Sequence, residues 1–204
     1  SYIVPYYRFA SKTTIYNKDG SLVKTIADDP LVEDMPKGFM STVSHKRSFQ
    51  WRADKPSSLV YAKALDGGDA NKAVEFRDEI FELNQPFEGD GKSMVKTINR
   101  YSGISWSTDE VAFLYDYWWN TRNEKTYTFN PSKKDDSPEI IFDRNYQDKY
   151  NDPGNLVMIK NEYGRKIVHQ EEGVVSLISD GFTKEGQFST CLLYTSPSPR
   201  DTLL

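Results

Sequence analysis

The chain has 204 residues, a formal charge of −4 and 37% hydrophobic residues, enough for one sizeable core or two small ones. With 27% charged and 14% aromatic residues, it is neither a disordered tail nor a membrane-spanning bundle. The acidic balance argues against nucleic acid, whose phosphates ask for a basic surface, and no apolar run reaches the length of a membrane span.

Strand signals begin at the N-terminus, where residues 1–9 are rich in Tyr, Ile and Val. Thr13–Tyr16 and Leu22–Ile26 flank Asn17-Lys18-Asp19-Gly20, and Asp-Gly between β-formers predicts a hairpin. Asp29–Gly38 holds two prolines and reads as a connecting loop. Asn71–Arg77 reads as one helical turn or a loop. Further strands are expected at Glu79–Leu83, Lys125–Phe129, Glu139–Phe142, Leu156–Lys160, Lys166–His169 and Val174–Ile178. Helical periodicity is otherwise absent, and β-branched and aromatic residues favour strands.

Two segments are copies of one unit. The first is Ser48-Phe49-Gln50-Trp51-Arg52-Ala53-Asp54 followed by Ser58-Leu59-Val60-Tyr61. The second is Gly103-Ile104-Ser105-Trp106-Ser107-Thr108-Asp109 followed by Ala112-Phe113-Leu114-Tyr115. The two Trp lie 55 residues apart, close to the roughly 40–50-residue period of propeller blades. Phe49 and Trp51 alternate with Gln50, giving one apolar face. The Asp suits a turn, where its carboxylate can accept from backbone amides. The continuous apolar run after it suits a strand buried on both faces. The expected fold is all-β: an incomplete β-propeller of about four blades, with antiparallel sheets.

The tail from Cys191 to Asp201 changes character. Those eleven residues match, residue for residue, a translated transposon-based sequencing adapter, although a Pro/Ser-rich linker has a similar composition. Residues 1–190 are therefore expected to be a partial propeller domain, and 191–204 to be an artefact with no domain. Absence of an initiator Met leads to the expectation that the natural start is missing, and the adapter match to the expectation that the gene continues past Thr190; with both natural termini expected to be missing, the absence of a signal peptide leaves the compartment illegible. Cys191 is the single cysteine, which excludes an intrachain disulfide.

Several motifs together resemble one family. Arg47-Ser48-Phe49-Gln50-Trp51-Arg52-Ala53-Asp54-Lys55-Pro56, Ala64-Leu65-Asp66-Gly67-Gly68-Asp69, Ser102-Gly103-Ile104-Ser105-Trp106, Trp118-Trp119-Asn120-Thr121-Arg122 and the stretch from Asp143 to Gly154 occur in family order. They are similar to the propeller of prolyl oligopeptidase family serine peptidases, nearest the glutamyl-endopeptidase-like branch. The resemblance covers residues 1–190. It implies a propeller that covers the active site of a C-terminal α/β-hydrolase domain and restricts access of peptide substrates. The peptide partner would then be bound through that hydrolase domain, which this chain lacks.

No catalytic residues are expected. The nearest match to Gly-x-Ser-x-Gly, Gly103 to Ser107, ends in Ser and opens no helix, so Ser105 reads as the polar face of a strand. His45 and His169 are isolated, and a zinc site needs more. The Asp143–Gly154 stretch lacks Ca²⁺-loop order and reads as turns. Lys133-Lys134-Asp135-Asp136 reads as a solvated hairpin loop, and Gly67-Gly68-Asp69 lacks the Lys of a phosphate loop. No metal or cofactor is expected. Trp118 and Trp119, with Tyr115 and Tyr117, form the densest aromatic cluster; core packing between blades accounts for it. The sharper reading places Trp118, Trp119 and Arg122 at the substrate channel. There Arg122 would pair with a substrate carboxylate, as a glutamyl preference would require. Two other classes compete with the peptidase reading. One is a stand-alone propeller scaffold that binds protein partners; the other is a propeller glycosidase with paired carboxylates.

Overall fold

A computed structural model of the chain describes residues 5–133 and 137–195. By their contacts these residues form two units, one running up to Trp51 together with Ser57–Ile98, the other made of Arg52–Pro56 and the residues from Asn99 onward. The expectation of an all-β, antiparallel fold holds in both. The chain is a series of antiparallel sheets, two of them complete four-stranded meanders in sequence order, giving an incomplete propeller-like fold.

The first unit opens with a correction. Residues 5–9 are not a strand: Tyr6–Arg8 make one 3-10 turn, with Arg8 N–H donating to the Pro5 carbonyl at 3.0 Å. Tyr6 and Tyr7 are exposed. Their β-preference meets no cross-strand neighbour, and that preference is mostly a packing effect. The predicted hairpin follows, β1 (Ser11–Tyr16) and β2 (Leu22–Asp29). Gly20 takes φ +84° in its turn, a conformation that glycine adopts without strain. Then comes the meander of β3 (Arg47–Trp51), β4 (Ser58–Ala64), β5 (Asp78–Asn84) and β6 (Lys92–Thr97). Asn71–Arg77 contains no helical turn. Ile15 of the hairpin joins Leu59, Tyr61, Leu83 and Phe87 in one buried cluster. The Tyr61 and Phe81 rings stack at 5.3 Å.

The second unit holds the other meander, β7 (Arg100–Trp106), β8 (Ala112–Trp118), β9 (Asn123–Phe129) and β10 (Glu139–Asn145). The short strands β11 (Asn155–Leu156), β12 (Met158–Lys160), β13 (Lys166–Val168) and β14 (Gln170–Glu171) follow. Beyond them lie β15 (Val174–Ser179), β16 (Phe182–Thr183), β17 (Gly186–Gln187) and β18 (Thr190–Thr195). β15 pairs with β11, β14 and β18. The single strand expected over Leu156–Lys160 is thus two, serving different sheets. Phe113, Val168 and Val175 are the buried core, with Tyr115, Ile141, Leu156 and Tyr194 packed against it. Cys191 to Thr195, expected to lie outside any domain, form most of β18; residues 196–204 lie outside the described residues, as do 134–136 of the expected charged loop.

The two sequence copies occupy matching places. Trp51 ends β3 and Trp106 ends β7; Leu59-Val60-Tyr61 and Phe113-Leu114-Tyr115 run through β4 and β8. The turn Asp differs from expectation. Asp54 takes the guanidinium of Arg52, at 3.1 and 2.6 Å. Arg52 is fully buried and stacks on Trp106 at 4.4 Å, so the carboxylate answers a buried cation before it answers an amide. The same Arg52–Pro56 segment is clamped by the β12–β13 turn. Arg165 donates to the carbonyls of Arg52 at 2.8 Å, Lys55 at 2.6 Å and Pro56 at 3.0 Å, while Asn161 donates to Ala53 at 2.7 Å. Four carbonyls of an irregular, largely half-buried segment are thereby satisfied by two side chains.

Leu114 is fully buried whereas Ile159 is 43% exposed. Leu114→Ala should therefore destabilise the chain by about 2–5 kcal/mol through lost burial and a residual cavity, and Ile159→Ala by about 0.5 kcal/mol or less. Urea unfolding of the two variants checks the contrast; equal midpoints would contradict this core.

Candidate functional site

Within the second unit a cavity of about 510 Å³ lies between the β7–β10 meander and the segment that carries β11 and β15. On the meander side, Tyr115, Thr126 and Phe142 are cross-strand partners on β8, β9 and β10. Paired residues of a sheet share a face, so these three stand in a row. The facing wall brings Leu156 and Leu177, themselves paired across β11 and β15. Gly154 lies at the wall's edge with φ +86°, where a Cβ would sit 2.1 Å from the Ile178 carbonyl oxygen. Only glycine permits that approach.

The charges around the cavity are paired among themselves. Arg144 bridges Glu124 at 2.6 Å and Asp152 at 3.2 Å, and donates to the Asp148 carbonyl at 3.0 Å. Lys125 pairs with Asp143, which also accepts from Asn123 Nδ2 at 2.6 Å. On the same cross-strand row lies Asp116, almost fully buried, accepting from Tyr127 Oη at 2.6 Å and from Asn99 N and Nδ2 at 2.9 and 3.0 Å. Burial pushes the Asp116 carboxyl up, against the opposing effect of those donors. The hydrogen bonds from Lys125 and Asn123 hold Asp143 below the usual carboxylate range. Burial also raises the Tyr115 phenol, whose O–H donates to Ser105 Oγ at 3.2 Å. Among the described residues no group of three or more His, Cys, Asp and Glu side chains is arranged to hold a metal ion.

The three residues singled out from the sequence lie at the β8–β9 turn. Arg122 has φ +59°, the left-handed position that follows a turn in a hairpin and usually holds glycine. Its guanidinium stacks on Trp119 at 3.8 Å, and its Nη1 donates to the Trp119 carbonyl at 2.8 Å and reaches Tyr146 Oη at 3.2 Å. Nη2 and Nε of Arg122 make no hydrogen bond among the described residues. Trp119 is 38% exposed and Trp118 half-buried. Neither joins the buried cluster that Tyr115 packs against, so the aromatic run divides between core and turn. Ser105 sits on strand β7, and His169 donates only its backbone N–H, to Val157 at 2.9 Å, among the described bonds. The cavity itself has no counterpart among the sequence expectations. Its residues come from seven strands and the Asp152–Gly154 connection, and cross-strand rows carry no local signature.

Asp116 and Asp143 should tilt stability with pH in opposite directions. A raised folded-state carboxyl binds protons more readily than the unfolded chain does, so its contribution to stability falls as pH climbs from the ordinary value, 3.8, through the raised one. A lowered carboxyl contributes stability above the ordinary value and loses it as pH falls through the lowered one. Asp116→Asn should remove part of the decline on the upward side, and Asp143→Asn part of the acid loss. Urea midpoints between about pH 3 and 7 read both, and parallel profiles in the two variants would contradict the assignment.

No protein-family model matches the chain, and no solved structure matches it. The chain is similar to the protein named "Probable glutamyl endopeptidase, chloroplastic" of Oryza sativa subsp. japonica, with 37% identity over 193 residues that cover 91% of this chain and 21% of that protein. The Arabidopsis thaliana protein of the same name is 37% identical over 194 residues, covering 91% of this chain and 20% of its own length. The chain therefore spans about a fifth of the length of these curated relatives, and is a homologue of that fifth of proteins bearing a peptidase name.

Proposed function

We propose that this chain is a non-catalytic propeller portion of a serine peptidase of the prolyl oligopeptidase family, in the glutamyl-endopeptidase-like branch. In the intact enzyme it covers the active site and restricts which peptides reach it. The observation that carries this reading is the 37% identity over 91% of the chain against only a fifth of the relatives' length. A series of sequential antiparallel meanders suits a cover, and among the described residues no strand runs into a helix by the turn on which a hydrolase serine sits. The peptide substrate would be hydrolysed by a domain that lies elsewhere in the longer protein.

Within this reading, Arg122 with Trp118 and Trp119 contributes to substrate selection. The left-handed backbone of Arg122 favours glycine, yet an arginine stands there, stacked on Trp119 with one guanidinium edge unengaged among the described residues. That edge can bind a carboxylate bidentately. We also propose that residues 191–201 derive from a sequencing adapter, so that the part of the natural sequence present here runs to about Thr190.

The genomic reading frame tests the main proposal: it should continue past residue 190 into Gly-x-Ser-x-Gly with Asp and His downstream, and a stop codon soon after another blade would refute it. The 204-residue chain should show no hydrolysis of Glu-containing peptides, and the intact enzyme should. In the intact enzyme, Arg122→Ala should reduce kcat/KM for cleavage after Glu by about tenfold or more relative to Ala; unchanged Glu-to-Ala selectivity would remove Arg122 from the specificity site.

A further inference from the structure

We propose that the cavity between the β7–β10 meander and the β11–β15 wall is a binding site for a short uncharged peptide segment presenting an aliphatic side chain. The inference goes beyond the peptidase reading and stands or falls without it. The volume, about 510 Å³, lies in the range of small-ligand sites. The shape comes from one cross-strand row. Tyr115 and Phe142 stand on β8 and β10, with the small Thr126 between them on β9. Neighbouring strands lie about 4.8 Å apart, so the two rings bound a notch about 10 Å across whose floor is a threonine. Leu156 and Leu177 face this notch from the other sheet.

The polar groups decide the ligand's chemistry. Fixed charges cannot be what recognises it, because Arg144 is engaged by Glu124, Asp152 and the Asp148 carbonyl, and Lys125 by Asp143. Phosphates, carboxylates and ammonium groups would have to break those pairs. What is left is neutral. Ser105 Oγ accepts a hydrogen bond from Tyr115 Oη and keeps its own O–H to donate, and the Thr126 hydroxyl meets no protein partner among the described residues. Hydroxyls both donate and accept, as a peptide amide does, and the leucine wall with its two flanking rings favours an aliphatic side chain. A sugar would instead offer a ring of hydroxyls to a wall of leucines and leave many unpaired, at a desolvation cost.

Titration of the full 204-residue chain with acetyl-Gly-Leu-Gly amide tests this, with acetyl-Gly-Gly-Gly amide and methyl glucoside as comparison probes. Methyl NMR shifts of Leu156, Leu177 and Met158 report occupancy. The Leu peptide should saturate them in the millimolar range, the Gly peptide should bind about fivefold more weakly or worse, and the sugar should not saturate. Thr126→Val, which removes a hydroxyl at nearly constant volume, and Ser105→Ala should each weaken the Leu peptide about threefold or more. Thr126→Phe should abolish binding by filling the notch; if that variant fails to fold, the two conservative variants carry the test. No saturation by the Leu peptide, equal binding of the Gly peptide, preference for the sugar, or unchanged affinity in both conservative variants would overturn the proposal. A catalytic parent with an empty cavity, or a bound peptide in a non-peptidase, would separate this site's fate from that of the proposed function.

Discussion

An inner strand of each meander carries an unbroken run of buried apolar residues, and that constraint shapes the chain around it. Leu59, Val60, Tyr61 and Ala62 on β4 are all at most 4% exposed, and Ala112, Phe113 and Leu114 on β8 are fully buried. A strand with buried side chains at successive positions must be covered on both faces, since neighbours in sequence point to opposite sides. Neither meander can satisfy that requirement by itself. In the first unit the β1–β2 hairpin supplies Ile15, Val23 and Ile26 to one face. In the second, Val168 and Val175 do the same for Phe113. Each sheet is thus completed by chain that lies outside it, the defining dependence of repeat architectures.

That dependence explains which polar residues are buried. Where connections pack beside the sheets, irregular backbone loses part of its water and finds side-chain partners instead. Arg165 and Asn161 meet this need for the Arg52–Pro56 segment, and the buried Arg52 is balanced by Asp54 and the Trp106 face. Losing one member of such a group leaves a buried charge or carbonyl without its partner, which is worse than never having had the pair. Asp116 shows the other side of the same physics. Its burial raises the cost of its charge, and Asn99 and Tyr127 offset part of it.

Much of the fold was legible because it is local. The Trp-to-Asp-to-apolar-run unit marks the β3–β4 and β7–β8 hairpins, and Asp19-Gly20 marks the first turn. What was missed is non-local or locally ambiguous. β6 reads Lys-Ser-Met-Val-Lys-Thr, polar enough to pass for a loop until β5 lies beside it. Residues 5–9 have strand composition and no strand partner. Met158 belongs to a ribbon separate from Leu156 because His169 N–H donates to Val157, a pairing that no window of sequence contains. The site shows the same division. Arg122, Trp118 and Trp119 were visible as a dense aromatic and cationic run. The row of Tyr115, Thr126 and Phe142 was not, because three unremarkable residues become one surface only through register.

Register also accounts for the chemistry of the cavity rim. Asp116, Lys125 and Asp143 pair across β8, β9 and β10 on one row, and Glu124 and Arg144 pair on the next. Adjacent rows project to opposite faces, so charge recurs on both sides of the sheet at this end. Each cation has a carboxylate directly across the ladder, where such pairs are strongest. The sheet therefore neutralises itself before any ligand arrives. A surface built this way offers approaching molecules its hydroxyls and its rings, while its ion pairs hold the strands in step. The charges at the cavity serve the register of the sheet, and the uncharged row beside them is what remains to recognise something else.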